Sequence, residues 1–151
     1  MDHLVKTKTR ALKILGSRNL SEKEMIKRLT DKGESTQNAE EVVAWLVELG
    51  YIDDNDYATL IVRHYTSKGY GTARICDELY KRGIPKELWD EKLEAINESD
   101  TEDATLAFLN KKLKGSTEKD DLRRAQDALV RRGFSYSEAK SAINKYIEDI
   151  T

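Results

Sequence analysis

The sequence predicts an all-α chain of three tandem three-helix repeats of about 50 residues, forming an elongated, curved molecule. Three observations carry this. Leu29-x-x-Lys32-Gly33 returns as Leu79-x-x-Arg82-Gly83 and as Leu129-x-x-Arg132-Gly133, 50 residues apart each time. Apolar residues recur at helical spacing along the chain, and no alternating run with turn dipeptides competes for strand. Serine caps and glycine stops punctuate the same pattern. The in-phase residues Ala39, Trp89 and Ala139 are all apolar, as are Val43, Leu93 and Ile143. The repeats are therefore placed at 1–50, 51–99 and 100–151.

In the first repeat, Leu12 and Leu15 mark an amphipathic helix that stops at Gly16. Ser21 and Glu24 form a capping box, in which each side chain accepts from the other's backbone N–H. The helix it opens turns Met25, Ile26 and Leu29 inward and ends at Gly33, a glycine in the position after the C-cap. A third helix starts at Thr36, with Ala39, Val42, Val43, Leu46 and Leu49 on its apolar face, and ends at Gly50.

In the second repeat, Asp53, Asp54 and Asp56 crowd a helix start, where negative charge suits the helix dipole. Tyr57, Ala58, Ile61, Val62 and Tyr65 form its stripe, and Gly69 stops it. The next helix runs from Thr72 to Arg82 with Ile75, Cys76 and Leu79 inward. Pro85 opens the third as a first-turn proline, and Leu88, Trp89, Leu93 and Ile96 follow. The third repeat has Leu106, Phe108, Leu109 and Leu113 before Gly115. A second helix lies between Thr117 and Arg132, and a last one is capped by Ser135 and Glu138.

Composition narrows the function classes. The chain is 36% charged and 38% hydrophobic, too apolar for disorder and too polar for a membrane protein. No apolar run is long enough to span a bilayer, and the N-terminal residues lack the apolar stretch of a signal peptide. A lone cysteine, Cys76, forms no internal disulfide, so a cytoplasmic chain is expected, and a monomer is the expected state. Net charge is −2, but residues 51–100 carry 7 basic against 11 acidic side chains, while the last 51 residues carry 10 against 9. That balance does not suit a protein that coats bare DNA.

No catalytic, cofactor or metal constellation emerges. His3 and His64 are the only histidines, and His64 reads as a solvated or partly packed side chain. Asp53-Asp54 and Asp120-Asp121 read as helix-start acids with no partner base. Gly69-Tyr70-Gly71 makes a tight elbow flanked by Lys68 and Arg74. It lacks the Lys-Ser/Thr of a phosphate loop, and its tyrosine serves either packing or contact. Lys81-Arg82, Lys111-Lys112, Arg123-Arg124 and Arg131-Arg132 are basic doublets. Most such doublets are solvated faces, but those between Lys111 and Arg132 are close enough to form a stripe facing phosphate or acidic protein.

Three stretches resemble the RecX family, modulators of the RecA recombinase. They are Gly50-Tyr51-Ile52-Asp53-Asp54-x-x-Tyr57-Ala58, then Ser67-Lys68-Gly69-Tyr70-Gly71-x-x-Arg74-Ile75-x-x-Glu78-Leu79-x-x-Arg82-Gly83-Ile84, and upstream Ser21-Glu22-x-Glu24-Met25-x-x-Arg28-Leu29-x-x-Lys32-Gly33. With the repeat, the resemblance covers residues 8–97; the last repeat matches in layout only. It implies a protein without catalytic activity that binds RecA along the groove or at the growing end of the RecA–DNA filament. Such binding restrains strand exchange, ATP hydrolysis and the co-protease activity of the SOS response.

With that resemblance, the partner-binding candidates are the loop cations Lys32, Arg82 and Arg132, the elbow residues Lys68, Tyr70 and Arg74, and the doublet residues Lys81, Lys111, Lys112, Arg123, Arg124 and Arg131. If the repeats stack alike, Lys32, Arg82 and Arg132 stand free at regular intervals. Tyr70 and the Tyr51–Tyr57 segment hold the middle repeat in shape. Two rival readings stay open: a direct DNA-binding module using Thr72–Arg82 as a recognition helix, with weak DNA contact, and a generic helical adaptor.

Overall fold

Serine side chains cap the starts of several helices, and glycines follow the ends of most of them. In this computed structural model, which describes residues 2–151 and the side chains of 3–151, the helices are α1 Asp2–Leu15, α2 Glu22–Asp31, α3 Thr36–Glu48, α4 Asp54–Ser67, α5 Thr72–Lys81, α6 Trp89–Glu94, α7 Glu98–Leu113, α8 Lys119–Arg131 and α9 Tyr136–Ile150. A 3-10 turn, Lys86–Leu88, precedes α6, and no strand occurs among the described residues. The reading made at Met1 lies outside them. Capping boxes at Ser21 and Ser135 are both closed, with the serine accepting from the third helical N–H and the glutamate from the serine N–H.

The chain forms two compact units. One holds residues 1–59 with 79–89; the other holds 60–78 with 90–151. Each therefore takes part of the stretch between 51 and 99.

In the first unit, α1, α2 and α3 pack on one another. Their core is Ala11, Leu20, Met25, Leu29, Ala39, Val42, Val43, Leu46 and Ile52. Each large aliphatic side chain buried here contributes on the order of 1.5–3 kcal/mol. Leu49 does not join this core: it is the C-cap of α3 and about half exposed. The helix predicted from Pro85 is also shorter than expected. Pro85 precedes a single 3-10 turn, and α6 ends at Glu94, before Ile96. The indole of the half-buried Trp89 donates to the Ile84 carbonyl at 3.1 Å, which folds the chain back on itself there.

A polar latch holds α1. Glu34 is buried, at a repeat position that Ile84 and Phe134 fill in the other two copies. Thr7 donates to its carboxylate at 2.9 Å, His3 Nε2 lies 2.8 Å away, and Arg10 3.5 Å. Burial alone would raise the carboxyl pKa. The hydrogen bonds from Thr7 and His3 and the charges of His3 and Arg10 outweigh it and hold the carboxyl below its ordinary value. An acid whose folded pKa is depressed stabilises the fold above its unfolded pKa, and that contribution is lost as pH falls through the folded pKa. Thermal melts of the protein are thus expected to lose stability below about pH 4.5 more steeply than those of Glu34→Gln. Parallel acid limbs for the two proteins would disprove the latch.

The second unit is built on α7, α8 and α9, which pack mutually around Leu109, Leu113, Ala125, Leu129, Phe134, Ala139, Ile143 and Tyr146. The Tyr146 side chain is fully buried, and its hydroxyl finds the Ser116 carbonyl at 3.1 Å. Cys76, expected inward, is only partly buried.

Candidate functional site

Two of the three loop cations are built into the fold. In the first unit, the Ser21 hydroxyl, at the N-cap of α2, donates to the carbonyl of Arg82 in the loop after α5. The Arg82 guanidinium turns to its own module, donating to the Tyr57 hydroxyl at 2.9 Å and lying 6.0 Å over that ring. Gly83 beside it has φ +72°, and a Cβ there would lie 2.6 Å from Lys23 Cβ.

The second unit repeats this joint. Gly71, which precedes α5, donates its N–H to the carbonyl of Arg132 at 2.8 Å, and Ala73 donates to the Gly133 carbonyl at 3.1 Å. Donor and acceptor are 61 residues apart in both units. The Arg132 guanidinium is clamped harder than that of Arg82. Nε donates to the Gly69 carbonyl at 3.1 Å and Nη2 to the Lys68 carbonyl at 2.6 Å. Its Cζ lies 4.1 Å from the Tyr70 ring centroid and 4.7 Å from that of Phe108.

The elbow residues serve the same joint. Arg74 lies 4.8 Å over Tyr70 and 5.9 Å over Tyr65, and its Nε is 3.3 Å from Glu78 Oε1. Glu78 is buried. Tyr70 meets Tyr65 edge-on at 5.5 Å and packs against the guanidinium groups of Arg74 and Arg132. Tyr57 is buried as a shaping residue should be, whereas the Tyr51 side chain is 60% exposed.

These positions correct one expectation. Lys32, Arg82 and Arg132 do not stand free at equal intervals: the two arginines are half-buried and internally bound, and Lys32 alone of the three is exposed. The sequence could have signalled this. Ser21 and Gly71 share one repeat position, and both are small enough for a backbone to approach.

The remaining candidates lie at the surface. Lys68 is exposed at the side chain while its carbonyl serves Arg132. Lys81 is exposed in the last turn of α5. Lys111 and Lys112 are exposed in the last turn of α7, and Arg123, Arg124 and Arg131 are exposed on α8. Arg123 and Arg124 lie 4.0 and 3.2 Å from Asp120 and Asp121, three residues back. Exposed pairs of this kind contribute at most about 1 kcal/mol and leave the cations available.

Sequence reasoning missed two acidic features. Asp54 is buried, and its carboxylate accepts the Glu22 N–H at 3.0 Å, so it caps α2 rather than its own helix. Burial raises the pKa of Asp54. Burial first, and then the Asp54 charge, raises that of Glu22. A groove of about 600 Å³ in the second unit is lined by Glu98, Glu102, Asp103 and Glu138 around Leu106 and Phe134. Among the described residues no group of three His, Cys, Asp or Glu side chains could hold a metal ion, and no helix is long and apolar enough to cross a membrane.

Three-helix modules with charged surfaces, tied loop to cap, define a tandem helical-repeat protein. Residues 8–46 match the family model for the first three-helix domain of RecX, and residues 53–93 match that for the second. The chain is 32% identical over 142 residues to the regulatory protein RecX of Xanthomonas axonopodis pv. citri, covering 93% of this chain and 87% of that one. It is 34% identical over 128 residues to the RecX of Stenotrophomonas maltophilia, covering 83% and 77%. The fold is that of the crystal structure of RecX from Lactobacillus salivarius, with a TM-score of 0.83 over 96% of this chain and 97% of that one at 21% identity. The chain belongs to the RecX family and has a RecX regulatory role.

Proposed function

We propose that the protein binds RecA and the RecA–DNA filament in the cytoplasm. There it restrains the recombinase, ATPase and co-protease activities that serve DNA repair and the SOS response, with no catalysis of its own. Family membership supports the choice of partner. The observation that carries the binding mode is the set of exposed cations Lys111, Lys112, Arg123, Arg124 and Arg131 in the second unit. They would meet acidic filament surface or nearby DNA phosphate. The three-repeat division at 1–50, 51–99 and 100–151 belongs to this reading. Several modest contacts on one chain gain from effective concentration without any single tight site. So held, the protein opposes the subunit movements or additions that filament growth and strand exchange require.

The test is RecA-driven ATP hydrolysis on single-stranded DNA with and without the protein. Inhibition is expected, and no effect at several-fold excess over filament ends would sink the proposal. Charge reversal of Arg123, Arg124 and Arg131 together is expected to weaken filament binding by about 10-fold at low salt and less at high salt, with helicity intact. Arg132 is left out because its guanidinium holds the fold. Unchanged binding would move the contact surface elsewhere. A shift of naked duplex DNA at low protein concentration would favour the DNA-binding alternative, for which the stretch Thr72–Arg82 offers little: Arg74 and Arg82 are both turned to internal partners.

A further inference from the structure

The loop after α2 has the same backbone as the loop after α8. Lys32 has φ −89° and ψ 8°, and Arg132 has φ −82° and ψ 2°. Gly33 has φ +101° and Gly133 +102°. Glu34 N–H bonds the Leu29 carbonyl at 3.0 Å, and Phe134 N–H the Leu129 carbonyl at 3.2 Å. At Gly133 a helix start is docked so closely that a Cβ would lie 2.5 Å from Arg74 N. At Gly83 a Cβ would lie 2.6 Å from Lys23. At Gly33, among the described residues, nothing lies within 4 Å. One loop shape thus occurs three times, twice filled and once open.

We propose that the Lys32–Gly33 loop is a third joint of the same kind, whose other half is a partner protein's helix start. The two filled joints describe that half: a serine or glycine at the cap donates an O–H or N–H to the loop carbonyl. In the second joint, the end of the preceding helix also offers carbonyls to the loop cation. Lys32 would serve those carbonyls with its ammonium group. A second copy of this chain is a poor occupant. Its equivalent caps, Ser21 and Gly71, are already bound to Arg82 and Arg132. The corresponding position in the last module, Asp121, lies inside α8 with its carboxylate on Ser116 and Arg124.

The test rests on the RecA reading above and uses RecA filaments on single-stranded DNA with a slowly hydrolysed ATP analogue. Gly33→Asn puts a Cβ where the filled joints have backbone or side chain, in a site that is open here. Asn is among the side chains most tolerant of positive φ. Gly50→Asn is the positive-φ control, since Gly50 has φ +82° against +101° at Gly33 and also has open space. Gly33→Asn is expected to weaken filament binding about 10-fold while Gly50→Asn stays near the original, both melting alike. Lys32→Glu, at an exposed side chain, is expected to weaken binding about 5-fold, because a carboxylate opposes partner carbonyls. Binding unchanged in Gly33→Asn and Lys32→Glu overturns this inference alone. A concentration-dependent dimer that Gly33→Asn abolishes also overturns it, in favour of a second copy. Absence of filament binding by the unaltered protein overturns the functional reading, and this one with it.

Discussion

Gly71→Ala is expected to destabilise the second unit by about 3 kcal/mol or more, from overpacking against backbone and the loss of joint hydrogen bonds. Gly71 is not a positive-φ glycine. Its lack of a side chain matters for space alone. A Cβ there would lie 2.5 Å from both C and O of Gly133 and 2.6 Å from Phe134 N. All three are backbone atoms, so no rotamer change relieves the clash. Moving the segments apart also costs the Gly71–Arg132 and Ala73–Gly133 hydrogen bonds, at 2.8 and 3.1 Å. Urea unfolding read by circular dichroism measures the loss, and amide exchange locates it. Protection should fall in α7–α9 and persist in α1–α3, whose core is separate. A change within about 0.5 kcal/mol, the scatter of ordinary surface substitutions, would refute the close docking.

The helices were legible because their determinants are local. Ser21 and Glu24, or Ser135 and Glu138, sit three residues apart, and Gly33 or Gly133 follows within one or two residues of the last turn. The core faces were legible for the same reason, except at ends: Leu49 keeps the period but falls on a C-cap, where the stripe runs out of partners. The joints were not legible. Their hydrogen bonds join residues 61 apart and end on backbone carbonyls, so only the small residues at one repeat position, Ser21 and Gly71, hint at them. Two arginines that looked like surface charge are therefore structural. Glu34 was hidden for a related reason: a carboxylate at an apolar repeat position looks exposed until Thr7 and His3 are seen to satisfy it. The exposed cations of α7 and α8 were read from composition alone and lie where solvated charges lie.

Within the doublet Arg131-Arg132 the two residues are expected to behave oppositely. Arg132→Ala should cost about 2 kcal/mol, from two carbonyl hydrogen bonds and stacking on two rings. Arg131→Ala should cost almost nothing in stability, because its side chain is exposed at the end of α8. Lys at position 132 keeps the charge but not the planar fork. A single ammonium cannot serve the Gly69 and Lys68 carbonyls as a fork and also lie over the Tyr70 and Phe108 rings, so Arg132→Lys should recover less than half of the loss. Filament binding should follow the reverse order. Arg131→Ala weakens it in a salt-dependent way, whereas Arg132→Lys leaves it near normal at a temperature where that variant is folded. Equal effects of the two alanine variants on unfolding would show that the guanidinium clamp carries no stability. Equal effects on binding would show that the exposed cation is not a contact. The two measurements together separate an arginine that builds the joint from its neighbour in sequence, which is left for the partner.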